Sequence, residues 1–202
     1  MTAVPLPDVL IFVRHGQTDW NAEGRMQGQQ DIPLNDTGRA QARRNGAALA
    51  AFLRAEALSV GDFRFLASPL GRTRETMELL RAEMGLPPQD YGLDDRLKEL
   101  TFGAWEGYTL EELAGRTPDL VAARKADKWG FVAPGGESYG MLSVRIGGWL
   151  RSVDGPSVVV THGGVIRVLH GLLLAVPPAE VPKLDVPQDT VWIWRHGSLT
   201  RI

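Results

Sequence analysis

Two histidines and two arginines occur in this chain in settings that suit attack on a phosphate ester. Arg14-His15-Gly16 directly follows an apolar run from Val9 to Val13. Arg72 comes four residues after Ser68, at the end of a shorter run, and Thr161-His162-Gly163-Gly164 closes a third run, Ser157 to Val160. An arginine fork matches phosphoryl oxygens bidentately and neutralises the charge that would repel a nucleophile. A neutral imidazole can attack phosphorus, giving a covalent intermediate that splits one hard step into two easier ones. Glycine follows each histidine, where a close backbone approach or a positive φ would call for it. Gly163 and Gly164 could also open a helix whose N–H groups face an anion.

These groups need a scaffold that brings three distant segments together. Val9–Val13, Phe63–Leu66 and Ser157–Val160 read as short strands buried on both faces. Helical segments follow them: Asn35 to about Glu56, Arg72 to Glu83, Met141 to Arg151, and Gly163 to Ala175. Val191–Trp194 and Leu199–Ile202 bracket a turn at His196-Gly197-Ser198, which predicts a terminal hairpin. Strands alternating with helices indicate an α/β fold, a three-layer α/β/α sandwich around a mainly parallel sheet. In such a sheet ligands bind beyond the carboxyl ends of the strands, so both histidines and both arginines would meet at one rim. The stretch at about 101–133 is the least regular and reads as an insertion over one edge of the sheet. No shift in composition marks a boundary, so residues 1–202 are expected to form one domain.

Composition excludes several function classes. The 202 residues carry a formal net charge of −2, so neither nucleic acid nor an anionic membrane is an expected partner. Hydrophobic content of 44% and charged content of 23% are those of an ordinary globular protein. At this length folding hides roughly 70% of the unfolded surface, enough for a core without staples. The chain has no cysteine, which removes thiol catalysis, disulfides and thiolate metal sites and agrees with a cytoplasmic location. The first seven residues lack the pattern of a signal peptide, and Val165–Val176, interrupted by Arg167 and His170, is too short and polar to span a bilayer.

The run from Val13 to Asn21 resembles the signature of the histidine phosphatase superfamily, the group that includes phosphoglycerate mutase. The resemblance continues, in the family's order, through Gln27-Gly28, Leu34–Gly38, Ala67–Thr76, Leu97–Gly107, Pro134–Ser138 and Val160–Val165. It implies a phosphoglycerate mutase-like fold and a phosphatase of small-molecule phosphate monoesters working through phosphohistidine. By position it implies His15 as nucleophile, Arg14, Arg72 and His162 as the phosphate pocket, and Glu99 as proton donor and acceptor. It places Asn21, Gln27 and Gly28 at the pocket mouth, and Gly163 takes the place where the acid-phosphatase branch usually has aspartate. No metal or cofactor is implied, because the arginines supply the positive charge. A phosphoglycerate mutase using the same pocket is the nearest alternative, disfavoured by the short segment between Glu99 and Pro134. A non-catalytic phosphate-sensing domain is a more distant one. The substrate is not named by the sequence, and the oligomeric state, monomer or homodimer, stays open.

Other candidates have plainer readings. Arg195-His196-Gly197 repeats the triplet but lacks the residues that follow it at His15, so His196 is assigned to a hairpin turn. His170 falls inside an apolar helix and reads as core, and Arg74 reads as a solvated helix charge. Glu106 and Glu137 rival Glu99; a cap or surface role suits Glu106, and a place beside a helix N-terminus suits Glu137. Trp105, Tyr108, Trp129 and Phe131 read first as core; lining the pocket mouth instead, they would favour an apolar or aromatic leaving group.

Overall fold

The structure, a computed structural model, describes residues 7–202; the start of the chain, on which the signal-peptide expectation falls, lies outside the described residues. The strands are β1 (Val9–Arg14), β2 (Arg64–Ala67), β3 (Gly92–Leu93), β4 (Ser157–Thr161), β5 (Val191–Arg195) and β6 (Ser198–Arg201). The helices are α1 (Asp19–Ala22), α2 (Asp36–Ala55), α3 (Gly71–Glu83), α4 (Leu110–Arg116), α5 (Pro118–Ala126), α6 (Tyr139–Leu150) and α7 (Gly163–Leu174). The sheet order is β3-β2-β4-β1-β5-β6. The first four strands run parallel, and β5 and β6 form the antiparallel hairpin at one edge.

Strand geometry sends successive side chains to opposite faces, and in β1 both faces are apolar. Val9, Ile11 and Val13 pack with Leu49 and Leu53 of α2 and Met77 and Leu80 of α3. Leu10 and Phe12 pack the other way, against Ile146 and Trp149 of α6 and Ile166 and Leu169 of α7. The sheet is thus covered on both faces, giving the three layers expected. Removing one such buried ring, as in Phe12→Ala, would cost about 3–5 kcal/mol.

Register is what builds the rim. Arg14 lies opposite Thr161, and Ala67 lies opposite Val160. The ladder continues one residue further: His15 N–H donates to the Thr161 carbonyl at 2.9 Å, and Ser68 N–H to the Val160 carbonyl at 3.1 Å. The three strands therefore release His15, His162 and Ser68 side by side. His170 is 5% exposed, wedged between Phe12 and Trp192 with ring centroids 5.7 and 4.5 Å away, a core residue as read. His196 sits at φ +51° in the exposed β5–β6 turn, also as read.

The segment at 101–133 differs from expectation. It contains two helices, α4 and α5, and it stands over the strand ends rather than over a sheet edge, since Leu110 and Arg124 face the rim. The local signals are ordinary ones: Thr109 and Glu112 form a capping box for α4, and Pro118 opens α5. Trp105, Leu113 and Ala133 bury themselves with Met26, and Tyr108 and Phe131 pack against that small core. Trp129 stacks on Tyr139 at 6.5 Å. The four aromatics are packing residues, and the apolar side of the main cleft comes from Phe102, Leu110 and Met26 instead. No helix among the described residues is long and apolar enough to cross a membrane.

Candidate active site

The strand ends open into a cleft of about 340 Å³. Arg14, His15, Asn21, Gln27, Gly28, Arg72, Glu99 and Gly163, all picked out from sequence, line it, and His162 packs edge-on against His15 with ring centroids 5.2 Å apart.

His15 is 3% exposed. Its Nδ1 lies 2.8 Å from the Gly16 carbonyl, which can only accept, so the ring proton sits on Nδ1 and the Nε2 lone pair is left free. Burial, then the charges of Arg72 and Arg14, holds the His15 pKa well below 6.5. The imidazole is neutral at physiological pH, the form that can attack phosphorus. Gly16 N–H donates to Thr76 Oγ1 at 3.0 Å, and the Gln188 amide donates to the His15 carbonyl at 3.3 Å and to Asn21 Oδ1 at 2.9 Å. The loop that carries the histidine is therefore tied to α3 on one side and to α1 on the other.

Arg72 is fully buried. It donates to the carbonyls of Gln30 at 2.6 Å and Gly28 at 2.7 Å, and to His162 Nδ1 at 3.3 Å. That last bond makes Nδ1 an acceptor, so His162 carries its proton on Nε2, which donates to Ser68 Oγ at 2.8 Å. Burial, followed by Arg72, His15 and Arg14, keeps His162 neutral too. Arg14 donates through Nη1 to the Val186 carbonyl at 2.8 Å. Burial and then Arg167 lower its pKa to about 10, which leaves it charged at neutral pH. The Nε atoms of Arg14 and Arg72 are both buried without a hydrogen-bond partner. Buried donors are costly to leave unpaired, and an anion between the two guanidiniums would satisfy both.

Glu99 is delivered by a turn that Thr161 Oγ1 pins through the Leu97 carbonyl at 2.8 Å. Its carboxyl accepts from Leu100 N–H and from Gly164 N–H, each at 3.0 Å. This corrects one expectation: the Gly164 amide at the start of α7 holds Glu99 rather than an anion. Neither Gly16 nor Gly163 has a positive φ; glycine is needed at both for close approach alone. Gly28 does combine the two, with φ +54° and a position where a Cβ would overlap the Glu106 carboxyl.

The rival acids are structural. Glu106 Oε1 accepts from Gln29 N–H, Thr101 Oγ1 and Phe102 N–H at 3.1, 2.8 and 3.0 Å, bracing the Gly28 turn. Glu137 forms a two-point pair with Arg145 at 3.2 and 2.7 Å, so it serves that arginine rather than a helix dipole. Sequence reasoning missed Arg124, Arg167 and Tyr139, which also line the cleft. Arg167 was legible in principle, since it follows Gly163 by four residues on the same helix and so shares its face; nothing local marks Arg124. Among the described residues no group of three or more His, Asp or Glu side chains is placed to hold a metal ion.

A family model described as the histidine phosphatase superfamily, branch 1, matches residues 10–199. The chain belongs to the histidine phosphatase superfamily. Within that superfamily it is 32% identical to a protein from Mycolicibacterium vanbaalenii named glucosyl-3-phosphoglycerate phosphatase, over 93% of this chain and 84% of the relative. It is 34% identical to a protein from Salmonella paratyphi C named "probable phosphoglycerate mutase GpmB", over 96% and 83% respectively. The solved structure of a mycobacterial glucosyl-3-phosphoglycerate phosphatase superposes with a TM-score of 0.76 at 29% identity, covering 92% of this chain and 89% of that one. The likeness extends over the whole sandwich, as the six-stranded sheet and its two helical layers require.

Proposed function

We propose that this histidine phosphatase hydrolyses phosphate monoesters of small molecules through a phosphohistidine on His15. One observation carries the reading: a neutral imidazole with its proton locked on Nδ1 stands beside the half-buried Arg14 and the fully buried Arg72, whose buried Nε donors lack partners. Nε2 of His15 attacks phosphorus while the ester P–O bond breaks, and Glu99 gives its proton to the departing oxygen. Water then attacks phosphorus, the Nε2–P bond breaks, and Glu99 takes the proton back. Arg14 and Arg72 neutralise the equatorial oxygens, the largest part of the catalysis in phosphoryl transfer. His162 steadies Arg72, accepting its Nη2 donor on Nδ1 while Nε2 is held by Ser68. Asn21, Gln27, Gly28 and Gly163 shape the space around the phosphoryl group.

The test is acid-labile phosphoryl labelling with steady-state turnover. His15→Ala abolishes both, while His196→Ala, in the distant hairpin turn, keeps both. Labelling retained in the His15 variant overturns the proposal. Phosphate release from p-nitrophenyl phosphate and 3-phosphoglycerate, measured beside mutase activity primed with 2,3-bisphosphoglycerate, separates hydrolysis from transfer back to the substrate.

A further inference from the structure

A second cavity, of about 480 Å³, lies outside the strand-end cleft. It opens where β3 falls short of β2. Their ladder begins at Leu66 and Gly92, so Arg64 and Phe65 have no partner in β3. Arg64 N–H donates to the Pro156 carbonyl on the β4 side, and alternation turns the next N–H, that of Phe65, to the open edge. Among the described residues that N–H meets no carbonyl. The walls are apolar, from Val60, Phe63, Phe65, Leu66 and Leu86, and the volume suits a small molecule.

Arg81, near the end of α3, brings a charge to this space. Its side chain is only 4% exposed and borders the cavity. The guanidinium carbon stands 4.4 Å from the centre of the Phe65 ring, so that face is covered. Its Nε donates to the Pro87 carbonyl at 2.9 Å, which among the described residues is its one hydrogen bond. The edge that carries Nη1 and Nη2 is left to the cavity.

The nearest carboxylate does not fill that edge. Asp90 Oδ2 lies 3.7 Å from Nη2, beyond hydrogen-bond distance, on a side chain 85% exposed. An exposed partner of this kind holds weakly. The other arginine on the cavity, Arg64, is paired with Asp154. A guanidinium edge with two free donors matches the two oxygens of a carboxylate lying in its plane. The charge of Asp90 favours a ligand with one negative charge over a phosphate monoester with two. Arg81 and Arg72 stand at opposite ends of α3, roughly 14 Å apart along its axis at the helical rise of about 1.5 Å per residue.

We propose that Arg81 and the open edge of β2 form a binding site for a small monocarboxylate with an apolar body, separate from the catalytic cleft. The carboxylate takes the Nη1–Nη2 edge of Arg81 in place of Asp90, and the apolar body lies against Phe63, Leu66 and Leu86.

3-Phenylpropanoate and its neutral counterpart 3-phenylpropanamide test it on the full chain, read through the N–H resonances of Gly61, Tyr91 and Gly92 around the cavity. The carboxylate should shift these resonances and bind on the order of 10-fold or more tighter than the amide, the worth of a charge-assisted hydrogen bond. Arg81→Gln should abolish that preference. Asp90→Asn, on the exposed rim, removes the competing charge and should tighten carboxylate binding about two- to fivefold; it decides the question if Arg81→Gln fails to fold. Shifts confined to cleft resonances such as Gly28 and Gly163, equal affinity for the two probes, or a preference retained in Arg81→Gln overturns the site. So does an Asp90→Asn variant that binds the carboxylate no more tightly than wild type.

Discussion

Replacing Arg72 by lysine keeps the charge and removes the fork, and the structure sets the size of the effect. Arg72 commits Nη1 to the Gln30 carbonyl and Nη2 to the Gly28 carbonyl and His162, keeping Nε for a ligand. A lysine offers its donors from a single nitrogen, which cannot reach two carbonyls, an imidazole and a phosphoryl oxygen at once. A charge-assisted bond lost only in the transition state is worth about 1.5–3 kcal/mol, and a looser His162 adds to that. Single-turnover phosphorylation of His15 should therefore slow by about 10²–10³-fold, the range seen when one preorganised donor is deleted. The same change leaves a buried carbonyl of Gly28 or Gln30 without its donor, lowering stability by about 1–3 kcal/mol. Rapid-quench labelling with p-nitrophenyl phosphate and a urea titration measure the two effects separately. A labelling rate within about fivefold of wild type, roughly 1 kcal/mol in the barrier, would show that charge alone suffices and refute the fork argument.

Four further outcomes follow from the site and the core. Glu99→Gln should slow phosphoryl transfer from alkyl phosphates by about 10²–10⁴-fold but much less from p-nitrophenyl phosphate, whose leaving group needs no proton; equal slowing of both would make Glu99 a positioning residue. Glu106→Gln should instead lower the urea midpoint, because its carboxyl braces three donors around the Gly28 turn. Because Arg14 and Arg72 supply the positive charge, turnover should survive EDTA; loss reversed by added Mg²⁺ or Zn²⁺ would contradict the proposed pocket. His170 has a pKa near 4, lowered first by burial and then by Arg167, against 6.5 in an unfolded chain. Its contribution to stability is complete above pH 6.5 and is lost as pH falls toward 4, because the unfolded chain then binds the proton more readily. His170→Phe should reduce that acid loss by at least about 1 kcal/mol in urea titrations at pH 7 and pH 4.5; an unchanged difference would rule this burial out as its source.

The amino-acid sequence by itself determined the sheet, its two covering layers and the residues at the strand ends. Those features rest on short-range rules: an apolar run such as Val9–Val13 admits a strand buried on both faces, and reactive residues after it must fall at the rim. Local caps at Thr109 and Pro118 also announced α4 and α5, which an impression of irregularity at 101–133 concealed. Tertiary structure decided what depends on distance across the chain. The choice among Glu99, Glu106 and Glu137 turns on which partners each carboxyl meets, and Gln29, Arg145 and Gly164 are remote from them in order or hidden by the fold. The tautomer of His15 and its depressed pKa need a carbonyl placed at Nδ1 and two guanidiniums in a buried pocket. Arg124 shows the limit most clearly, for on α5 it is one charge among several. Only the folding of 101–133 over the strand ends sets it beside Tyr139 and Arg167, because interactions between charges depend on separation and burial, which no stretch of sequence encodes locally.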